Sequence, residues 1–292
     1  MFNILSGEPV KQKIENEIIA SVAKLKSDGI SPKLAVVRAG EDVGQVFYEN
    51  AIIKASDDYG IEKQIINFRG DVSQPFLEVT IQAVNDDPEI HGVIMLRPFP
   101  EQVDEEVLRQ MLVPSKDVDA ITDISIADTF VGKEDGFYAC TAEACIELIN
   151  FYDIPLEGKN VTIIGRSLTV GKPLAMMLLN KNATVTACHS KTPKDEQMKA
   201  CKNADIVVLA TGKTENYGSE YFRDNQIIID VGTGTGNDGK IHGDLDILEI
   251  ERAGKIKDLT YTPVPGGVGL ATTALLLRNI VKAANRKQNK DL

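Results

Sequence analysis

The sequence predicts an α/β protein of two domains, on three observations. Short apolar runs of strand type alternate with helix-length amphipathic stretches along most of the chain. The alternation breaks at VPSKDVDAITD (Val113 to Asp123), a segment rich in turn formers and acids, and then resumes. In the resumed part an apolar strand, Val161 to Ile164, runs into a helix through a turn holding Gly165, Arg166, Ser167, Gly171 and Pro173.

Pro9 opens a stretch with Val10, Ile14, Ile18, Val22 and Leu25 at near-helical spacing, and Gly29 lies just past its end, as expected of an amphipathic helix. Leu34 to Val37 follows as a strand, then a helical stretch from Gln45 to Asp58 and a strand from Ile61 to Phe68. Phe76 to Val84 reads as a helix, His91 to Met95 as a strand, and Glu105 to Met111 as a helix. The domain junction is placed between Asp117 and Thr141, with Thr141 as cap of the next helix, AEACIELINFY. The second half repeats the alternation with strands at Val161 to Ile164, Thr184 to Cys188, Ile206 to Ala210 and Ile227 to Val231. Helices begin at Gly171 and near Glu196, which makes this half a Rossmann-type, mostly parallel sheet. TGTGNDGK, a short helix near Leu245 to Arg252, the loop TPVPGGVG and a last helix through Ala274 to Ala284 complete the chain. That last helix lies beyond the sheet and is expected to pack back on the first domain.

The 292 residues, 43% hydrophobic, suffice for two sizeable cores. A formal net charge of -11 offers no basic field to a nucleic-acid backbone or an anionic membrane surface, so neither is expected as a partner. Cys140, Cys145, Cys188 and Cys201 show no CxxC pairing, and with only His91, His189 and His242 beside them no metal site is expected. Without a signal peptide or a membrane-length apolar run, the expected compartment is reducing and cytoplasmic.

The strand-to-helix turn can bring backbone N–H groups and a helix dipole to a pyrophosphate. It is not a G-x-G-x-x-G fingerprint, and taken alone an ordinary loop explains its glycines equally well. The end of the next strand adds information. NAD-specific sheets place an acid there for the ribose hydroxyls, whereas this chain has His189, Ser190 and Lys191. Hydroxyl and ammonium donors, with Arg166 in the turn, suit a 2′-phosphate, so NADP is favoured and NAD is the alternative.

Over nearly its whole length the chain resembles the methylenetetrahydrofolate dehydrogenase/methenyltetrahydrofolate cyclohydrolase family. GRSLTVGKP (Gly165 to Pro173), CHSKT (Cys188 to Thr192), KDVDA (Lys116 to Ala120) and TPVPGGVG (Thr262 to Gly269) look like its signatures, in its order. The resemblance implies a folate-binding catalytic domain over residues 1–120 plus the C-terminal helix 273–292, and an NAD(P)-binding domain over 121–272. It also implies a substrate cleft between them, tetrahydrofolate one-carbon derivatives as substrates, and a homodimer. Gly165, Arg166, Ser167, Gly171, Pro173 and Ser190 carry over to the cofactor, and Thr233 stands where the family usually has isoleucine against it. Asp119 matches the aspartate that holds the pterin, and chemically a carboxylate can pair with the two donors of an amino-pyrimidine. Pro265, Gly266 and Gly267 match the loop lining the folate site, although Leu270-Ala271 replaces its usual Pro-Met continuation.

The informative departure lies after Tyr48, where the family has Tyr, three residues, Lys. Here YENAI puts Ile52 at the lysine position, and Lys54 is roughly 200° further round a helix. Where the family usually reads Gln-Leu-Pro-Leu-Pro, this chain reads Leu96-Arg97-Pro98-Phe99-Pro100, so the lysine and its expected glutamine partner are both apolar. Tyr48, Ile52, Leu96 and Pro98 are therefore candidate substrate contacts, with Tyr48 and Asp119 the catalytic candidates. Arg97 could bind the substrate's glutamate tail, supply a new charge, or be an exposed arginine on a turn. The expected activity is oxidation of 5,10-methylenetetrahydrofolate with NADP, the cyclohydrolase step being lost or weak. The competing expectations are a full bifunctional enzyme with a replacement acid/base, a non-catalytic folate- or nucleotide-binding homologue, and a dehydrogenase of another small substrate.

Overall fold

The computed structural model describes residues 1–236 and 238–288, so the last four residues of the expected C-terminal helix lie outside the described residues. In chain order the first half holds β1 (Phe2–Ile4), α1 (Glu8–Ser27), β2 (Lys33–Ala39), α2 (Val43–Tyr59), β3 (Glu62–Phe68), α3 (Gln74–Asp86), β4 (Gly92–Met95) and α4 (Glu105–Met111). Then come α5 (Asp123–Val131), α6 (Cys140–Phe151), β5 (Asn160–Ile164), α7 (Gly171–Leu179), β6 (Thr184–Cys188), α8 (Lys194–Asn203), β7 (Ile206–Leu209) and β8 (Gln226–Asp230). The chain continues through β9 (Gly234–Thr235), β10 (Ile241–His242), α9 (Ile247–Ala253), β11 (Leu259–Tyr261) and α10 (Gly269–Gln288).

Two compact units form. One gathers Gln12–Asp128, Asp135–Tyr138 and Thr273–Leu292. Its sheet is parallel in the order β3-β2-β4, with Val37 opposite both Ile66 and Met95. The central strand β2 is buried from Leu34 to Ala39, which is why it reads as a continuous apolar run rather than an alternating one. Val37, Leu77, Ile81, Val93 and Leu108 form the heart of this unit's core. α10 belongs here: Asn279 donates to the Val118 carbonyl at 2.9 Å and Lys282 to the Gly136 carbonyl at 2.8 Å.

The other unit gathers Met1–Lys11, Thr129–Glu134 and Ala139–Thr272 around a six-stranded parallel sheet, order β1-β11-β8-β7-β5-β6. β6 lies on one side of β5 and β7 on the other, so the winding reverses at β5 and leaves a crevice at the strands' carboxyl ends. Ile164, Val207, Leu209, Ile228 and Leu259 are among its core residues.

Four features depart from the sequence reading. β1 and β11 extend the sheet at its far edge, but at three residues each they leave no periodicity to detect. α5 occupies the segment read as junction. Its start is fixed by Thr122, whose hydroxyl accepts the Ser125 N–H at 3.2 Å, and by the buried Asp117 carboxylate, which accepts the N–H groups of Ile121 at 3.0 Å and Thr122 at 2.8 Å. Thr141 is not a cap: the Ala139 carbonyl already accepts the Glu143 N–H at 2.9 Å, so α6 begins earlier and Thr141 lies inside its first turn. Among the described residues no helix is long and apolar enough to cross a membrane.

Candidate functional site

A cavity of about 390 Å³ opens at the carboxyl ends of β5, β6 and β7. Its wall takes Gly165 and Arg166 from the turn after β5, His189 and Ser190 from the turn after β6, Lys194 from α8, and Thr211 and Lys213 from the loop after β7. Among the described residues three cations line it and no carboxylate does, a donor set that suits a phosphorylated ligand.

The glycines of the turn answer first to the protein itself. Gly165 has φ 140°, and a Cβ there would collide with the Ala210 carbonyl, while one at Gly171 would collide with the Gly165 carbonyl. Strand end, turn and helix start are thus packed backbone against backbone. Ser167 completes the frame, its hydroxyl accepting the Val170 N–H at 3.1 Å and its carbonyl the Lys172 N–H at 3.0 Å. Of the residues expected at the cofactor, Gly165, Arg166 and Ser190 are in the cavity wall, whereas Ser167, Gly171, Pro173 and Thr233 are not.

The turn after β6 is closed by reciprocal bonds: the His189 N–H donates to the Thr192 hydroxyl at 3.0 Å and the Thr192 N–H to the His189 carbonyl at 2.8 Å. The Lys191 N–H donates to His189 Nδ1 at 3.2 Å. This geometry presents Ser190 to the cavity and leaves the exposed Lys191 out of its wall. Sequence reasoning missed Lys194, Thr211, Lys213 and the buried Tyr217; the signal for Lys213 was TGK directly after an apolar strand.

In the other unit α2 carries Tyr48 and Ile52. Asp42 caps the helix by accepting the Gln45 N–H at 2.9 Å, and the buried stripe is Gln45, Glu49, Ile52 and Ser56. That stripe is polar at three of four positions because α2 is tied down by polar bonds. Glu49 accepts Arg38 Nε of β2 at 2.9 Å and Asn67 Nδ2 of β3 at 3.0 Å, and Gln45 Nε2 donates to the Pro98 carbonyl at 2.7 Å. Ile52 is 0% exposed, Tyr48 sits half-buried beside the stripe, and Lys54 is exposed. Leu96 is buried and Pro98 exposed, the Arg97–Pro98 bond being cis. Arg97 is neither free nor fully exposed, since it pairs with Glu105 at 3.3 Å.

The two aspartates of KDVDA divide their work. Asp117 holds backbone N–H groups from full burial, whereas Asp119 is half-buried two residues on. In the sheet unit, the exposed Pro265 follows a cis bond from Val264, and the Gly266 carbonyl accepts the Gly7 N–H at 2.8 Å beside the buried Gly267. Burial pushes the Cys145 and Cys201 thiols up to about 12, so neither is a nucleophile near neutral pH.

Residues 139–288 match the family model for the tetrahydrofolate dehydrogenase/cyclohydrolase NAD(P)-binding domain, and residues 5–119 match that for its catalytic domain. The chain belongs to the tetrahydrofolate dehydrogenase/cyclohydrolase family. Among relatives of this family, the bifunctional protein FolD of Clostridium botulinum (strain Okra / Type B1) is 42% identical over 287 residues, covering 98% of this chain and 99% of its own. The crystal structure of bifunctional FolD from Campylobacter jejuni superposes with a TM-score of 0.93 at 34% identity, covering 98% of this chain and all of that one. Trypanosoma brucei FolD, solved with NADP cofactor and an inhibitor, gives a TM-score of 0.90 at 27% identity over 98% of each chain.

Proposed function

We propose that this family member oxidises 5,10-methylenetetrahydrofolate to the 5,10-methenyl form with NADP, and hydrolyses that product weakly or not at all. The observation that carries the second half is the complete burial of Ile52 where the resemblance calls for a lysine. Neither neighbouring cation replaces it, because Lys54 is on the exposed side of α2 and Arg97 is engaged by Glu105.

The cavity fits NADP by the chemistry of its donors, with Arg166 and Ser190 for the 2′-phosphate. Bound there, NADP supplies the hydride acceptor. Hydride leaves a methylene carbon flanked by two nitrogens whose lone pairs stabilise the resulting cation, so the protein's task is positioning rather than proton removal. We assign Asp119 to the amino-pyrimidine, Tyr48 to the pterin face with its hydroxyl toward the reacting carbon, and Pro98, Pro265, Gly266 and Gly267 to the folate lining, with the buried Ile52 and Leu96 behind it. Hydrolysis, by contrast, must take a proton from water and return one to nitrogen, and the loss of a general acid/base weakens such a step by about two to four powers of ten. The reading carries with it a homodimer in the cytoplasm; light scattering checks the dimer.

The deciding assay incubates the purified protein with 5,10-methylenetetrahydrofolate and NADP or NAD, following reduced cofactor, methenyl product and 10-formyl product separately. Reduced cofactor with accumulating methenyl product is expected, faster with NADP. Protein-dependent 10-formyl product would reveal a replacement acid/base, and no turnover despite binding of both ligands would leave a non-catalytic homologue. Asp119→Ala is expected to weaken folate binding about 10- to 100-fold, the worth of a charge-assisted contact, with NADP affinity unchanged. A fluorescence titration checks this, and unchanged folate affinity removes the assignment.

A further inference from the structure

Behind the cavity wall lie two carboxylates that the proposed reaction does not use. Asp230 ends β8 at 2% exposed, and Asp244, two residues past β10, is 0% exposed. A Cβ at Gly232 would collide with the Asp244 carboxylate and one at Gly243 with that of Asp230, so each acid packs against the backbone beside the other. Asp230 accepts the N–H groups of Gly232 at 3.0 Å, Asp244 at 3.2 Å and Leu245 at 2.9 Å. Asp244 Oδ2 accepts both the N–H of Thr211 at 2.6 Å and its hydroxyl at 2.8 Å, and Thr211 is part of the cavity wall. Asp244 Oδ1 is sealed in with no partner among the described residues.

Among the described residues no cation pairs with either acid, and the other titratable group facing them is the Tyr217 phenol, itself pushed up by burial. Burial first, and then the neighbouring Asp244, push Asp230 up to about 7 against the pull of its backbone donors. A buried carboxyl beside a second acid and without a countercharge resists ionisation.

We propose that Asp230 and Asp244 are positioning residues that hold Thr211 in the cavity wall, and that a proton held on the Asp230 carboxyl makes NADP binding proton-linked. This rests on the cavity being the NADP site. Loss of the Asp230 proton adds a negative charge behind a wall that receives a polyanion, so affinity falls as pH rises through about 7 and binding takes up a proton. One extra charge at roughly 10 Å in an effective dielectric of about 20 is worth on the order of tenfold in affinity. The ligand's own 2′-phosphate acts oppositely, releasing a proton when cations hold it. His189 also lines the wall, so a His189→Gln variant serves as the control.

The test is calorimetric titration of NADP into the folded protein, in two buffers of different ionisation enthalpy, between about pH 6.5 and 8.5. Wild type and His189→Gln are expected to take up a fraction of a proton, and Asp230→Asn none, with its Kd no longer climbing about tenfold across that range. No uptake by the wild type or by His189→Gln overturns the proposal, as does equal uptake by wild type and Asp230→Asn. Should Asp230→Asn fail to fold, the first two proteins still decide it. Absence of NADP binding at every pH refutes the cofactor assignment, and binding without proton linkage refutes the carboxylate pair alone.

Discussion

Replacing Glu49 by alanine is expected to destabilise the unit that carries α2 by about 3–5 kcal/mol, the usual consequence of leaving one buried charge without its partner. The Arg38 and Glu49 side chains are 6% and 7% exposed, so the orphaned guanidinium cannot turn to water. Its remaining contacts are the Gly40 carbonyl and Glu41, whose side chain is 80% exposed and contributes little at 3.4 Å. Asn67 loses its acceptor as well. Glu49 follows Tyr48 directly, so loosening the clamp between α2, β2 and β3 should also lower the dehydrogenase kcat. Urea unfolding with activity measured on the folded protein checks both effects. Two variants show that the cause is the lone charge: Glu49→Gln, which keeps acceptor geometry, should lose only about 1–3 kcal/mol, and a joint Arg38→Met, Glu49→Leu exchange should lie near wild type. A Glu49→Ala protein as stable as wild type would mean that the pair contributes nothing.

The clamp was invisible in the sequence for a physical reason. Arg38 sits at the end of the apolar run LAVVRA, and Glu49 reads as an ordinary exposed acid on an amphipathic helix, so pattern alone assigns both to solvent. Periodicity reports apolar faces, and the buried face of α2 is polar at Gln45, Glu49 and Ser56. β2, β5 and β7, by contrast, were legible because a parallel strand covered on both sides carries a mostly apolar run. The nucleotide turn was legible as a motif, but what holds it was not: the first constraint on Gly165 and Gly171 is the carbonyl of a neighbouring segment. Lys194 and Lys213 escaped notice because they reach the cavity from the start of α8 and from the loop after β7, a convergence set by strand order and not by spacing along the chain.

Introducing a lysine at Ile52 is the sharpest test of the proposed loss of hydrolysis, and burial sets its outcome. The position is 0% exposed, so an ammonium there must leave water, which depresses a lysine pKa by about 3–5 units. The folded protein then binds fewer protons than the unfolded chain at this site. Its stability should therefore match wild type near pH 10 and fall by about 1.4 kcal/mol for each pH unit below that, until the depressed pKa is reached. Near neutral pH such a lysine is largely uncharged and can accept a proton. A helical side chain leans toward the N-terminus of its helix, which directs this one toward the Gln45 end of the stripe, where Gln45 Oε1 is buried without a partner among the described residues. It still lacks the glutamine that the family resemblance calls for at Leu96, so Ile52→Lys alone should gain little hydrolysis. The Ile52→Lys, Leu96→Gln pair should raise 10-formyl formation by about 10²- to 10⁴-fold over wild type, the range of a general acid/base. Dehydrogenase activity should persist in both, because hydride loss from the methylene carbon needs no protein base. Urea unfolding at about pH 7 and 9 reads the first expectation, through the offset of about 1.4 kcal/mol per pH unit, and the separated product assay reads the second. A folded double variant without gain would place the loss of hydrolysis elsewhere in the site, and a wild type that already hydrolyses well would show that Ile52 was never the limiting residue.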